Sequence, residues 1–123
     1  MIATDHAPHS AGEKSRGLAG SLFGITGLET AFPVLYTALV RGGVMSTEML
    51  TEKMSTAPRR RFGIPLAEED YTIFEVETPY EIDPAQFTSM GKSTPFAGRT
   101  VFGRCVATVT EGKTVWQENL TEN

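Results

Sequence analysis

Apolar residues change their spacing partway along the chain. Leu28, Phe32, Leu35 and Leu39 recur at intervals of four, three and four, which is one stripe of a helix and is expected to be core. Ahead of it, Thr26-Gly27-Leu28-Glu29 reads as a capping box, with Thr26 accepting from the residue-29 amide and Glu29 reaching back. Pro33 lies inside the stripe and predicts a kink, because its ring displaces the Glu29 carbonyl. Gly42-Gly43 predicts the stop. Ser46 is expected to cap a second helix with Met49, Leu50 and Met54 facing inward, ending before Pro58. A short turn over residues 59–63 then leads to Pro65.

After Glu69 the period falls to two. Residues 71–76 and 80–82 predict strands, and residues 101–109 and 114–117 a hairpin across Glu111-Gly112-Lys113. At the other end, residues 1–5 read as the end of a short buried strand. Residues 6–26 read as a long connection loosened by Gly12, Gly17, Gly20 and Gly24. Connections longer than about 12–15 residues are uncommon in compact domains and often carry function. The expected class is α/β, with a strand and helices first and a small antiparallel β unit after them.

Composition narrows the function classes. The chain has 123 residues, 40% hydrophobic and 21% charged, the size and balance of one small globular unit. Its net charge is −4 and no basic run exceeds Arg59-Arg60-Arg61, so it lacks the basic stripe of a nucleic-acid binder. That run reads as a solvated helix end. The longest nearly apolar run, residues 31–40, is far shorter than the ~20 residues that span a bilayer. The N-terminus carries no secretory leader pattern. Cys105 is the single cysteine, set among apolar neighbours, and reads as an inert thiol in a reducing compartment. Trp116 reads as packing in the β unit. A cytoplasmic chain is the expectation.

Candidate chemistry is concentrated at the start. Asp5-His6-Ala7-Pro8-His9 places a carboxylate and two imidazoles at the C-terminal end of the expected strand, the edge where parallel α/β enzymes build sites. A carboxylate there can hold a cation or move a proton, and an imidazole can serve a metal or a ligand oxyanion. Spacing alone fits an Asx-turn with two surface histidines equally well.

The run Ile2-Ala3-Thr4-Asp5-His6-Ala7-Pro8-His9 resembles the C-terminal part of class I dihydroorotases, which are metal-dependent cyclic amidohydrolases. So do Glu13-Lys14, Phe23-Gly24, Gly27-Leu28-Glu29-Thr30, Phe62-Gly63, Ser93-Thr94-Pro95-Phe96-Ala97-Gly98 and the Gly112-Lys113 hairpin. Ser93 stands where Asn is common, and Ala57 replaces an Asn before Pro58. Hydantoinases and allantoinases share the Asp-His pair but usually carry another residue where His9 stands.

The resemblance implies the last strand and helices of a (β/α)8 TIM barrel over residues 1–66, and strands of a small β-sandwich subdomain over 67–123. It implies that Asp5 touches a binuclear Zn2+ centre and acts as general base and acid. Asp5 would take a proton from metal-bound hydroxide and pass it to the leaving ring nitrogen of dihydroorotate, giving N-carbamoyl-L-aspartate in pyrimidine biosynthesis. His9 would hydrogen-bond the substrate carboxylate, and Phe23 and Gly24 would offer backbone contacts to the ring. His6 is left between a structural role and a ligand.

A barrel of this type takes about 250 residues. The expectation is therefore a fragment of a dihydroorotase that is inactive alone, self-associating or completed by a partner chain, with a transcarbamoylase as one candidate. The alternatives are another cyclic amidohydrolase or a non-catalytic interaction module.

Overall fold

The structure, a computed structural model, describes residues 1–118. Its elements are α1 (Ala11–Lys14), α2 (Gly17–Gly20), α3 (Leu28–Leu35), α4 (Thr47–Thr51), α5 (Ala57–Phe62), β1 (Tyr71–Glu75), β2 (Tyr80–Glu81), β3 (Thr100–Val101), β4 (Arg104–Thr110) and β5 (Lys113–Gln117). The fold is mixed helix and sheet.

The stripe around Leu28 does form a helix, but neither its start nor its core role follows the expectation. Gly27 is the N-cap of α3 and offers no side chain. The Thr26 hydroxyl instead donates to the Gly91 carbonyl at 2.8 Å, and the Glu29 carboxylate accepts from the amides of Thr88 and Ser89. The fold brings residues 88–91 beside Thr26 and Glu29, and these long-range bonds replace the local capping box. Leu28 is 64% exposed, while Phe32, Leu35 and Leu39 are half-buried. Phe32 stacks on Phe74 of β1 and on Tyr36.

Both prolines in helical stretches lie next to wide turns. Past Pro33 the backbone opens into a π-turn over Tyr36–Val40, closed by the Arg41 amide donating to the Tyr36 carbonyl. A second π-turn, Glu52–Thr56, joins α4 to α5, and Pro58 occupies the first turn of α5. The second helical stretch therefore runs past Pro58, through residues expected to form a turn, to Gly63 at φ 66. A proline ring clashes with the carbonyl four residues back, which for Pro58 is that of Met54, inside the second π-turn, where the wider turn moves it aside. Ser46 caps α4 as expected, accepting from the Met49 amide; Leu50 is fully buried but Met49 is exposed.

β1, β4 and β5 form one antiparallel sheet in the order β1-β4-β5, with Tyr71 opposite Val109 and Ala107 opposite Gln117. β2 and β3 pair separately. The strand expected over 101–109 is broken at Gly103, which sits at φ 95 against the Phe32 ring. A side chain there would meet both a left-handed backbone and that ring. The β4–β5 turn puts Glu111 and Gly112 at φ 51 and 69, the twisted two-residue hairpin turn.

The expected N-terminal strand is absent. Residues 1–5 have no regular secondary structure and no ladder partner; the Ile2 amide donates to the Lys53 carbonyl. A strand exists only through its neighbours. Beside this segment lies an apolar cavity of about 690 Å³, lined by Ile2, Leu28, Met54 and Trp116 and by the stacked Phe32 and Phe74 rings. Leu50, Ile82, Val101 and Val109, with Pro33, are the buried apolar side chains among the described residues, whereas Phe62 and Leu66 are each 66% exposed. No helix among the described residues is long and apolar enough to cross a membrane.

Candidate active-site segment

Residues 5–9 form a tight bend rather than a strand end. Asp5 adopts the left-handed conformation at φ 55, which Asp tolerates better than most residues, and its Oδ1 accepts the His6 amide at 2.6 Å. The Ala7 amide donates to the Ile25 carbonyl, and the His9 amide closes back on the Ala7 carbonyl at 3.0 Å.

Three glycines clamp this bend. A Cβ on Gly24 would overlap the Ala7 side chain, one on Gly27 would overlap the Asp5 carbonyl, and one on Gly91 would overlap the Pro8 backbone. Each approach is closer than any side chain allows. The segment 84–93, far away in sequence, is held in place by the Thr26 and Glu29 bonds, and the Thr26 amide also donates to the Ser93 carbonyl.

His6 has a defined role here. Its Nδ1 accepts from the Gly27 and Leu28 amides at 3.2 and 3.3 Å, at the N-terminus of α3. The ring proton therefore sits on Nε2, which faces the Ser89 hydroxyl at 3.4 Å. With both nitrogens engaged, His6 ties the bend to α3 and to residue 89.

His9 is half-buried, and its Nδ1 lies 3.9 Å from Glu13 Oε2. Ser10 and Glu13 form a reciprocal capping box that starts α1. The Ser10 hydroxyl and amide, both bonded to the Glu13 carboxylate, hold its pKa below the ordinary 4.5. The following loop is less loose than its glycines predict. Lys14 Nζ donates to the carbonyls of Leu22 and Gly24, and Ser21 Oγ donates to the Lys14 carbonyl. Phe23 projects outward, 89% exposed.

The structure thus gathers Asp5, His9 and Gly24 about one bend, with Phe23 at its margin. Sequence reasoning read Thr26 only as a cap and Gly27 only within a cap and a motif, and it missed Ser89 and Gly91. Isolated glycines away from tight turns were the available signal for close backbone approach. Cys105 is half-buried, and burial raises its thiol pKa above 9.0.

Among the described residues, no group of three or more His, Cys, Asp or Glu side chains could hold a metal ion. His6 is committed to amides and His9 lies beside Glu13, which leaves the exposed Asp5 carboxylate as a single donor. Zinc needs about four ligands, so this chain's residues do not fit a zinc site by themselves.

One exposed carboxylate and a half-buried imidazole on the same short segment are at most part of an acid–base site. No family model matches the chain. Curated relatives do: it is 48% identical over 124 residues to dihydroorotase of Bacillus cereus strain B4264, and 47% identical to those of Bacillus thuringiensis strain Al Hakam and Bacillus anthracis strain CDC 684. Each alignment covers 96% of this chain but 29% of the relative. The chain matches the C-terminal part of dihydroorotase and spans about 29% of the length of those relatives.

Proposed function

We propose that this chain is the C-terminal portion of a dihydroorotase and supplies the general acid–base group and part of the substrate-binding surface. The observation that carries the reading is the identity of 47–48% across nearly the whole chain. The glycine-clamped bend around Asp5 and His9 supports it.

On this reading water adds to the cyclic amide carbonyl of dihydroorotate. Asp5 accepts the proton that the water gives up and delivers it to the ring nitrogen as the C–N bond breaks, yielding N-carbamoyl-L-aspartate. His9 binds the substrate carboxylate, and the backbone at Phe23 and Gly24 contacts the ring. The zinc implied by the resemblance takes one ligand from this chain, Asp5, and the rest from elsewhere. Residues 1–66 belong to the (β/α)8 barrel and 67–123 to the β subdomain, residues 119–123 lying outside the described residues. The work is cytoplasmic.

Leu28, Phe62 and Leu66 are exposed, and few large apolar side chains are buried among the described residues. Alone it therefore self-associates or takes up the rest of the barrel from another chain. Leaving a large apolar side chain in water forfeits about 1.5–3 kcal/mol relative to burial.

The test is a chimera in which this chain replaces the matching C-terminal portion of Bacillus cereus dihydroorotase. The chimera is expected to turn over dihydroorotate, and Asp5→Asn to abolish nearly all turnover while the fold persists. His9→Ala is expected to raise KM with metal content intact; metal loss would make His9 a ligand instead. A folded, zinc-loaded chimera without turnover refutes the proposal.

A further inference from the structure

The ammonium of Lys14 is spent in an unusual way. Among the described residues it pairs with no carboxylate; its neighbour Glu13 is committed to Ser10. Lys14 Nζ instead donates to two backbone carbonyls, Leu22 at 3.0 Å and Gly24 at 2.9 Å, one on each side of Phe23. A lysine that reaches eight and ten residues along the chain to hold two carbonyls fixes the path of the backbone between them.

The surroundings make that path consequential. The Leu22 amide donates to the Glu13 carbonyl and Ser21 Oγ to the Lys14 carbonyl, so residues 21–24 are bound to α1 at several points. Helix α1 is itself capped by Ser10, the residue after His9. On its other side, Gly24 sits at φ 118 against Ala7 of the bend. The Leu22 and Ser21 bonds stop short of Phe23, and the Lys14 side chain carries the link on to Gly24, which abuts Ala7 of the bend. Phe23 contributes little to this link by packing, because its side chain stands in solvent.

We infer that Lys14 is a positioning residue, setting the Phe23–Gly24 backbone relative to His9 so that both meet one substrate. The inference rests on the proposed dihydroorotase reading for the substrate contact, and on the two hydrogen bonds for the pin. A hydrogen bond to a charged group contributes about 1.5–3 kcal/mol, and losing the low end of that range corresponds to roughly tenfold in affinity. The chemical step depends on Asp5, which Lys14 does not touch.

The experiment has two arms. In the 123-residue chain, chymotrypsin cleavage after Phe23 reads loop opening without any catalysis. In the chimera with Bacillus cereus dihydroorotase, KM and kcat for dihydroorotate read positioning. Lys14→Met is expected to speed cleavage and to raise KM roughly tenfold with kcat little changed. Lys14→Arg, which keeps charge and several donors, is expected to recover both in large part. Circular dichroism of each variant checks the fold, and where Lys14→Met unfolds, Lys14→Gln takes its place with the same expected and refuting results. Unchanged cleavage in Lys14→Met refutes the pin. Faster cleavage with unchanged KM, or an equal fall in kcat, refutes the positioning role. A wild-type chimera without turnover overturns the dihydroorotase reading and the positioning role with it, while the cleavage arm still reports the pin.

Discussion

Replacing Gly91 by Ala tests whether the Asp5–His9 bend is held by close backbone contact. Gly91 is buried and its φ is not in the left-handed range, so an alanine meets a steric obstacle without a conformational one. The new Cβ would lie 2.6 Å from the Pro8 carbonyl oxygen and 2.7 Å from that of His9, where ordinary contact begins near 3.4 Å. These are backbone atoms, with the Pro8 carbonyl carbon nearer still, so no side chain can swing aside and the bend must retreat by about 1 Å. Overpacking of this kind costs typically 1–3 kcal/mol. At roughly 4 °C per kcal/mol for a chain of this size, the melting midpoint should fall by about 4–12 °C. Displacements near 1 Å in a site cost up to about 10²-fold in rate, so the chimera should lose on the order of 10- to 100-fold in kcat/KM although Asp5 and His9 are unchanged. Gly12→Ala is the control, because nothing lies within 4 Å of its Cβ and it sits inside α1. Thermal melts and dihydroorotate kinetics on both variants decide the matter. A Gly91→Ala protein as stable and active as Gly12→Ala would show that the bend is not clamped.

Thr26→Val keeps the shape of a fully buried side chain but removes the hydroxyl that satisfies the Gly91 carbonyl. It should cost about 1–3 kcal/mol in a urea titration, and a loss below about 0.5 kcal/mol would contradict the bond's role. The Glu13 carboxyl, depressed by its Ser10 hydrogen bonds, should titrate by NMR with a midpoint below 4.5 and return toward 4.5 in Ser10→Ala. Because the folded-state value is the lower one, the capping contribution is complete above pH 4.5 and fades as pH falls through the folded-state pKa. A midpoint unmoved by Ser10→Ala would assign the shift to another group.

Local chemistry made much of this chain legible in its sequence. The helical stripe from Leu28, the Ser46 cap, the period-two strands after Glu69 and the turn at Glu111-Gly112 all depend on neighbours within a few residues. The Thr-Asp-His-Ala-Pro-His run likewise identified the matching portion of dihydroorotase without any fold. What failed was decided by partners distant along the chain. Thr26 and Glu29 fit a local capping box by spacing, yet both bond to residues 88–91, which only the fold brings beside them. Gly103 broke an expected strand because Phe32 lies against it, and Pro58 was passed because a π-turn made room for its ring. The first five residues read as a strand from their composition, but a ladder needs a second strand, and none pairs with them among the described residues. Residue type determined which groups could do chemistry here; only tertiary contact, through Gly24, Gly27 and Gly91 closing on one bend, decided where Asp5 and His9 would be held.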